Sequence, residues 1–135
     1  MAPTLDWMMR ATRVEDVDPA AMRLVMATRL AVLCQRRDVD PLPLLTQRVG
    51  CQRAAIGLIH LVAVAGSAWP ESFSLSPPCS GTLSHDETLL AAMAEAVLFD
   101  DRAAFDRCSC DMIGEDSRDF LWREIGNVIH RHRIA

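Results

Sequence analysis

Apolar residues recur along most of this chain at steps of three and four, the period of one face of a helix. Met22, Met26, Leu30 and Leu33 form the first such row, widened by Val25 and Val32. Asp18-Pro19 stands just ahead of it: Asp18 can cap free backbone N–H groups, and Pro19 lacks only an N–H that the first helical position does not use. Arg36 and Arg37 suit the negative end of the helix dipole, and the spacing predicts a stop near Asp38, before Asp40-Pro41.

A short helix is expected over 43–48, broken at Gly50, and a longer one over 52–68, ending before Pro70. The longer one is apolar on every side through Ile56, Leu58, Ile59, Leu61, Val62 and Val64, which predicts a central helix with neighbours all round. The β-branched run Val62-Ala63-Val64 leaves a buried strand as the alternative. Residues 70–83 turn to Pro and Ser and lose all periodicity, so they read as one long internal loop.

Ser84 followed three residues later by Glu87 is a capping box, opening a helix from about His85 to Phe99. Its apolar stripe is Leu89, Leu90, Met93 and Val97, with Glu87, Thr88 and Glu95 expected to face water. Asp100 or Asp101 then caps a short helix whose inner face is read as Phe105, Cys108 and Met112, ending near Gly114. Asp116 or Ser117 opens the last helix, over 117–132, which turns Leu121, Ile125, Val128 and Ile129 inward, joined by Phe120 and Trp122. Asp119 and Arg123, four apart, are expected to pair on its wet face. The pattern predicts a single all-α domain over 1–135, an irregular bundle of about five helices, with 1–17 as a loosely packed N-terminal arm.

The composition agrees: of 135 residues, half are hydrophobic and about a quarter charged, enough to bury a core without disulfides. The longest stretch free of charged residues, Ala54 to Pro70, falls short of the roughly 20 apolar residues of a membrane span, and a buried core helix is expected there instead. The five cysteines are odd in number and no charged-then-apolar leader opens the chain, so a cytoplasmic location is expected.

Net charge is −4, which argues against nucleic acid as the main partner. Residues 1–69 carry eight Arg against six acids and residues 70–135 six Arg against twelve, so the two halves have opposite sign. All fourteen basic residues are Arg, which rules out lysine-based nucleophiles and the P-loop lysine within this chain.

Four constellations deserve weighing. Residues 45–59 carry the outline of a helix-turn-helix around Gly50, but a recognition helix starting near Gln52 offers Ala55, Gly57 and Leu58 beside Gln52 and Arg53, few donors for base edges. Cys79, His85, Cys108, Cys110, His130 and His132 are metal-ligand types, yet Cys108 and Cys110 point to nearly opposite sides of a helix, as do His130 and His132. Cys79 with His85 six residues on is a candidate thiol nucleophile, weighed against a plain surface thiol. His60 with His85-Asp86 superficially resembles metal-dependent phosphohydrolases of the HD type. In that family the His-Asp pair lies inside a helix lining the metal pocket, whereas here it falls at a capped helix start. Asp86 is therefore expected to complement the helix dipole, and His60 to be a hydrogen-bonded core histidine.

The sequence assigns no catalytic, cofactor-binding or metal-binding residue, and no cofactor is expected. Elimination points to a non-catalytic interaction or regulatory module, a homo-oligomer or partner-binding protein with no membrane segment. Surfaces from the oppositely charged halves are expected to meet across subunits, with Trp7, Met8 and Met9 as apolar anchors. The alternatives are a DNA-binding regulator using 45–59 and a thiol- or metal-dependent enzyme using Cys79, His85, Cys108 and Cys110. Cys108 is expected to be buried and Cys110 accessible, with no disulfide or shared metal.

Overall fold

The structure is a computed structural model and describes residues 13–70, 73–77 and 79–131. It contains six α-helices among those residues: α1 (Pro19–Arg36), α2 (Pro41–Val49), α3 (Gln52–Ala68), α4 (His85–Leu98), α5 (Arg102–Ser109) and α6 (Glu115–Gly126). A 3-10 turn, Val14–Asp16, precedes them, and a π-helical turn, Asn127–Arg131, continues α6. The strand alternative for Val62–Val64 is not realised, since these residues are helical; one isolated bridge, Arg13 to Thr82, is the sole β pairing among the described residues. Trp7, Met8, Met9 and His132 lie outside the described residues.

The helix boundaries follow local chemistry. Asp18 and Asp40 each cap a helix that begins on proline, their carboxylates accepting from Ala20 N–H and Leu42 N–H. The expected short helix therefore starts at Pro41, two residues earlier than the spacing of its apolar residues indicates. Gly50 ends α2 in the left-handed region at φ 77°, which only glycine enters without a Cβ penalty. Asp38 and Asp100 adopt the same conformation, at φ 55° and 54°, just past α1 and α4. Both parts of the Ser84–Glu87 capping box are formed. The last helix opens at Glu115 after Gly114, slightly before the expected Asp116 or Ser117.

One hydrophobic core joins all six helices, and α4 rather than α3 sits at its centre. Helix α4 packs against α1, α5, α6 and the π turn, and Leu89, Leu90, Met93 and Val97 are buried as expected. Helix α3 touches α1, α2, α6 and the π turn, which leaves one side open; there Ile56 is 52% exposed and His60, Ala63 and Ser67 face out. Uniform apolarity concealed which side lacked a neighbour.

The inner face of α1 is also rotated from the expected row. Met22 and Val25 are buried as expected, but so are Ala21, Leu24, Ala27 and Ala31, while Met26, Leu30 and Leu33 lie at its margins. The small alanines admit close approach of a neighbouring helix, so a row chosen by side-chain size misplaces the centre of the face. In α5 the buried positions are Phe105 and Ser109, continued by Ile113 beyond the helix, and Met112 is half-buried. Cys108 is exposed, contrary to expectation, because the core lies on the i, i+4, i+8 row through Phe105.

The arm and the loop are tied down where they are described. Val14 N–H donates to the Gly81 carbonyl and Asp18 N–H to Glu95 Oε1, each at 2.9 Å, so residues 13–17 are docked rather than loose. Trp69 Nε1 and Ser74 N–H donate to the two oxygens of Asp86, at 3.1 and 2.7 Å. Asp86 thus staples the loop to the start of α4.

Candidate functional site

The strongest polar construction is the bidentate pair of Arg29 and Glu87, which sequence reasoning missed. Arg29 Nε donates to Glu87 Oε2 at 2.6 Å and Nη2 to Oε1 at 3.0 Å. The remaining guanidinium hydrogens go to the carbonyls of Ser80 and Thr82 and to Met26 Sδ. Glu87, expected in water, is fully buried. Burial pushes its carboxyl pKa up, but the Arg29 hydrogen bond and charge, Ser84 N–H and Ser76 outweigh this and hold it below the ordinary carboxylate value. Every donor of Arg29 is occupied, so the pair is structural: it binds α1, α4 and the loop into one body.

A second network joins α5 to α6. Asp106 accepts from Arg102 Nε and Arg118 Nε at 3.1 Å each, and Arg102 also donates to Asp119. The Asp119–Arg123 pair expected from spacing is therefore not made; Arg123 lies over the Phe120 ring at 5.9 Å instead. Trp122 packs edge-on against Phe105, with centroids 5.2 Å apart.

Cys79, Cys108 and Cys110 are exposed and unpaired, His85 is exposed, and no group of three metal-ligand types assembles among the described residues. His130 Nε2 donates to the Val97 carbonyl at 3.0 Å. His60 is not a core residue: its side chain is 58% exposed, with Nε2 3.5 Å from Glu124 Oε2. The Cys108 thiol bonds the Phe105 carbonyl at 3.2 Å, and desolvation of the sulfur raises its pKa.

What remains is a surface. Between α3 and α6 lies a groove of about 390 Å³ lined by Ala63, Val64, Ser67, Ala68, Asp116, Ser117 and Phe120. Phe120, expected inside, is 54% exposed at its edge. The core on this side is already filled by Leu121 and Ile125, and Phe120, adjacent in sequence to Leu121, is turned out over α3. His60 and Glu124 meet farther along the same two helices.

Over 45–59, α2 and α3 are joined by a turn at Gly50. Ile56, however, occupies the middle of the outward face of α3, and Glu115, Asp116 and Asp119 crowd the start of the adjoining α6. Apolar and acidic groups there are poorly suited to a phosphate backbone.

Among the described residues no helix is long and apolar enough to cross a membrane. The fold defines the class to which the chain belongs, an all-α bundle. No protein-family model, curated protein or solved structure matches it.

Proposed function

We propose that this chain is a non-catalytic helical interaction module that associates with a second copy of itself. The observation that supports the reading is the open side of α3 with the α6 groove, where Ile56 and Phe120 remain more than half exposed. Burying apolar surface of this kind contributes about 25 cal/mol per Å², and exposed apolar patches rimmed by polar residues commonly mark association sites. The acidic residues at the start of α6 support a protein partner over nucleic acid.

Sedimentation equilibrium across the micromolar range tests the proposal. A dimer that dissociates on dilution is the expected result. A strictly monomeric species at high micromolar concentration overturns it, and tight binding of a labelled DNA duplex at physiological salt would put the DNA-binding alternative in its place.

A further inference from the structure

Five residues on α3, namely Arg53, Ile56, His60, Ala63 and Ser67, are all exposed and follow one another at steps of three, four, three and four. That alternation averages 3.5 residues, the spacing of a seam along which one helix meets another. Nothing within the described residues covers this row.

The face is electrically polar along its length. As numbering falls on α3 from Ser67 to His60 it rises on α6 from Asp116 to Glu124, so the two helices are antiparallel. Arg53 therefore marks one end of the face, while Asp116 and Glu115 mark the other, beside Ser67. Neither Arg53 nor Asp116 makes an ion pair among the described residues.

We infer, building on the self-association proposed above, that the second copy packs on this face across a two-fold axis beside His60, with the two α3 helices antiparallel. Arg53 and Ser67 each lie seven residues from His60, about 10 Å along the helix. A two-fold rotation there brings Arg53 of one copy level with Ser67 and Asp116 of the other, twice per dimer. It also sets the large Ile56 within about one residue's rise of the small Ala63, on the side of Phe120. A parallel arrangement places Arg53 against Arg53 and Asp116 against Asp116, which like charge opposes. A head-to-tail arrangement yields rings or filaments rather than a closed pair.

Sedimentation of surface variants, each checked for unchanged helicity by circular dichroism, tests the arrangement. Ile56→Glu and Phe120→Glu place charges in the seam and are expected to weaken dimerisation by at least a hundredfold. Arg53→Glu and Asp116→Arg each set like charges together at two places and are expected to weaken it about tenfold, while the double reversal recovers wild-type affinity. A dimeric wild-type protein whose affinity is unmoved by Ile56→Glu and Phe120→Glu overturns this face but leaves self-association standing. Loss of affinity in both single reversals without recovery in the double overturns the antiparallel register. A monomeric wild-type protein removes the underlying reading itself.

Discussion

Arg29 and Glu87 meet beneath the loop at the start of α4 through two parallel hydrogen bonds, 58 residues apart in sequence, with side chains 1% and 0% exposed. The same guanidinium holds the Ser80 and Thr82 carbonyls, and the same carboxylate completes the cap of α4 by accepting from Ser84 N–H at 2.9 Å.

Removing either partner strands the other in the core. Arg29→Met or Glu87→Leu alone is expected to cost about 3–5 kcal/mol, while the double replacement costs clearly less than the two together. Urea unfolding of the four proteins in a double-mutant cycle measures this; strictly additive losses would refute the coupling.

The lowered pKa of Glu87 makes stability depend on acid. The unfolded chain takes up a proton at a higher pH than the folded one does, so the pair's contribution is full above the unfolded carboxyl value, near pH 4.5. It is lost as pH falls through the lower folded value. Stability measured from pH 7 down to 2 is expected to fall in that window, and Glu87→Gln to flatten this part of the curve from a lower starting point.

Ser84 caps α4 by accepting from Glu87 N–H at 3.1 Å, and its hydroxyl also donates to the Ser74 carbonyl. Ser84→Ala is expected to cost about 1 kcal/mol in thermal or urea unfolding, with Ser84→Gly closer to neutral at the cap itself.

Asp100 sits in the left-handed region directly after α4, where its charge also faces the negative end of the helix dipole. Asp100→Gly relieves both and is expected to stabilise the protein by about 0.5–1 kcal/mol, seen as a raised melting temperature.

Four thiols, those of Cys51, Cys79, Cys108 and Cys110, are exposed, and Cys34 is buried. Native labelling with a disulfide reagent is expected to modify the four and spare Cys34. Cys108 should react more slowly than Cys110 at neutral pH, since its raised pKa leaves less thiolate. Equal rates at the two would contradict the desolvation of Cys108.

The ends of the helices were legible in the sequence because they are decided locally. Asp18-Pro19, Asp40-Pro41, Gly50 and the Ser84–Glu87 box each act on backbone groups within a few residues. Burial is decided elsewhere, by whichever helix happens to face each position. Glu87 reads as a wet capping residue until Arg29 arrives from α1. His60 and Phe120 read as core until α3 proves to have no neighbour on one side. Cys108 and Ser109 are adjacent small residues, and only the placement of Ile113 shows which lies on the buried row. The candidate surface shared this limitation. Its residues were visible as apolar, but periodicity carries no record of which apolar row is left uncovered.

The oxygen acceptors of Arg29 come from Ser80, Thr82 and Glu87, so none of these can detach without leaving an interior cation short of a partner. Opening that part of the loop is therefore coupled to opening the bundle, and the amides tied to it, such as Val14 on the Gly81 carbonyl, should exchange their hydrogens on the timescale of global unfolding. Irregular backbone is ordinarily where a protease first finds purchase. Around Ser80 and Thr82, cutting of the non-helical chain is therefore expected to be slow until the bundle itself opens.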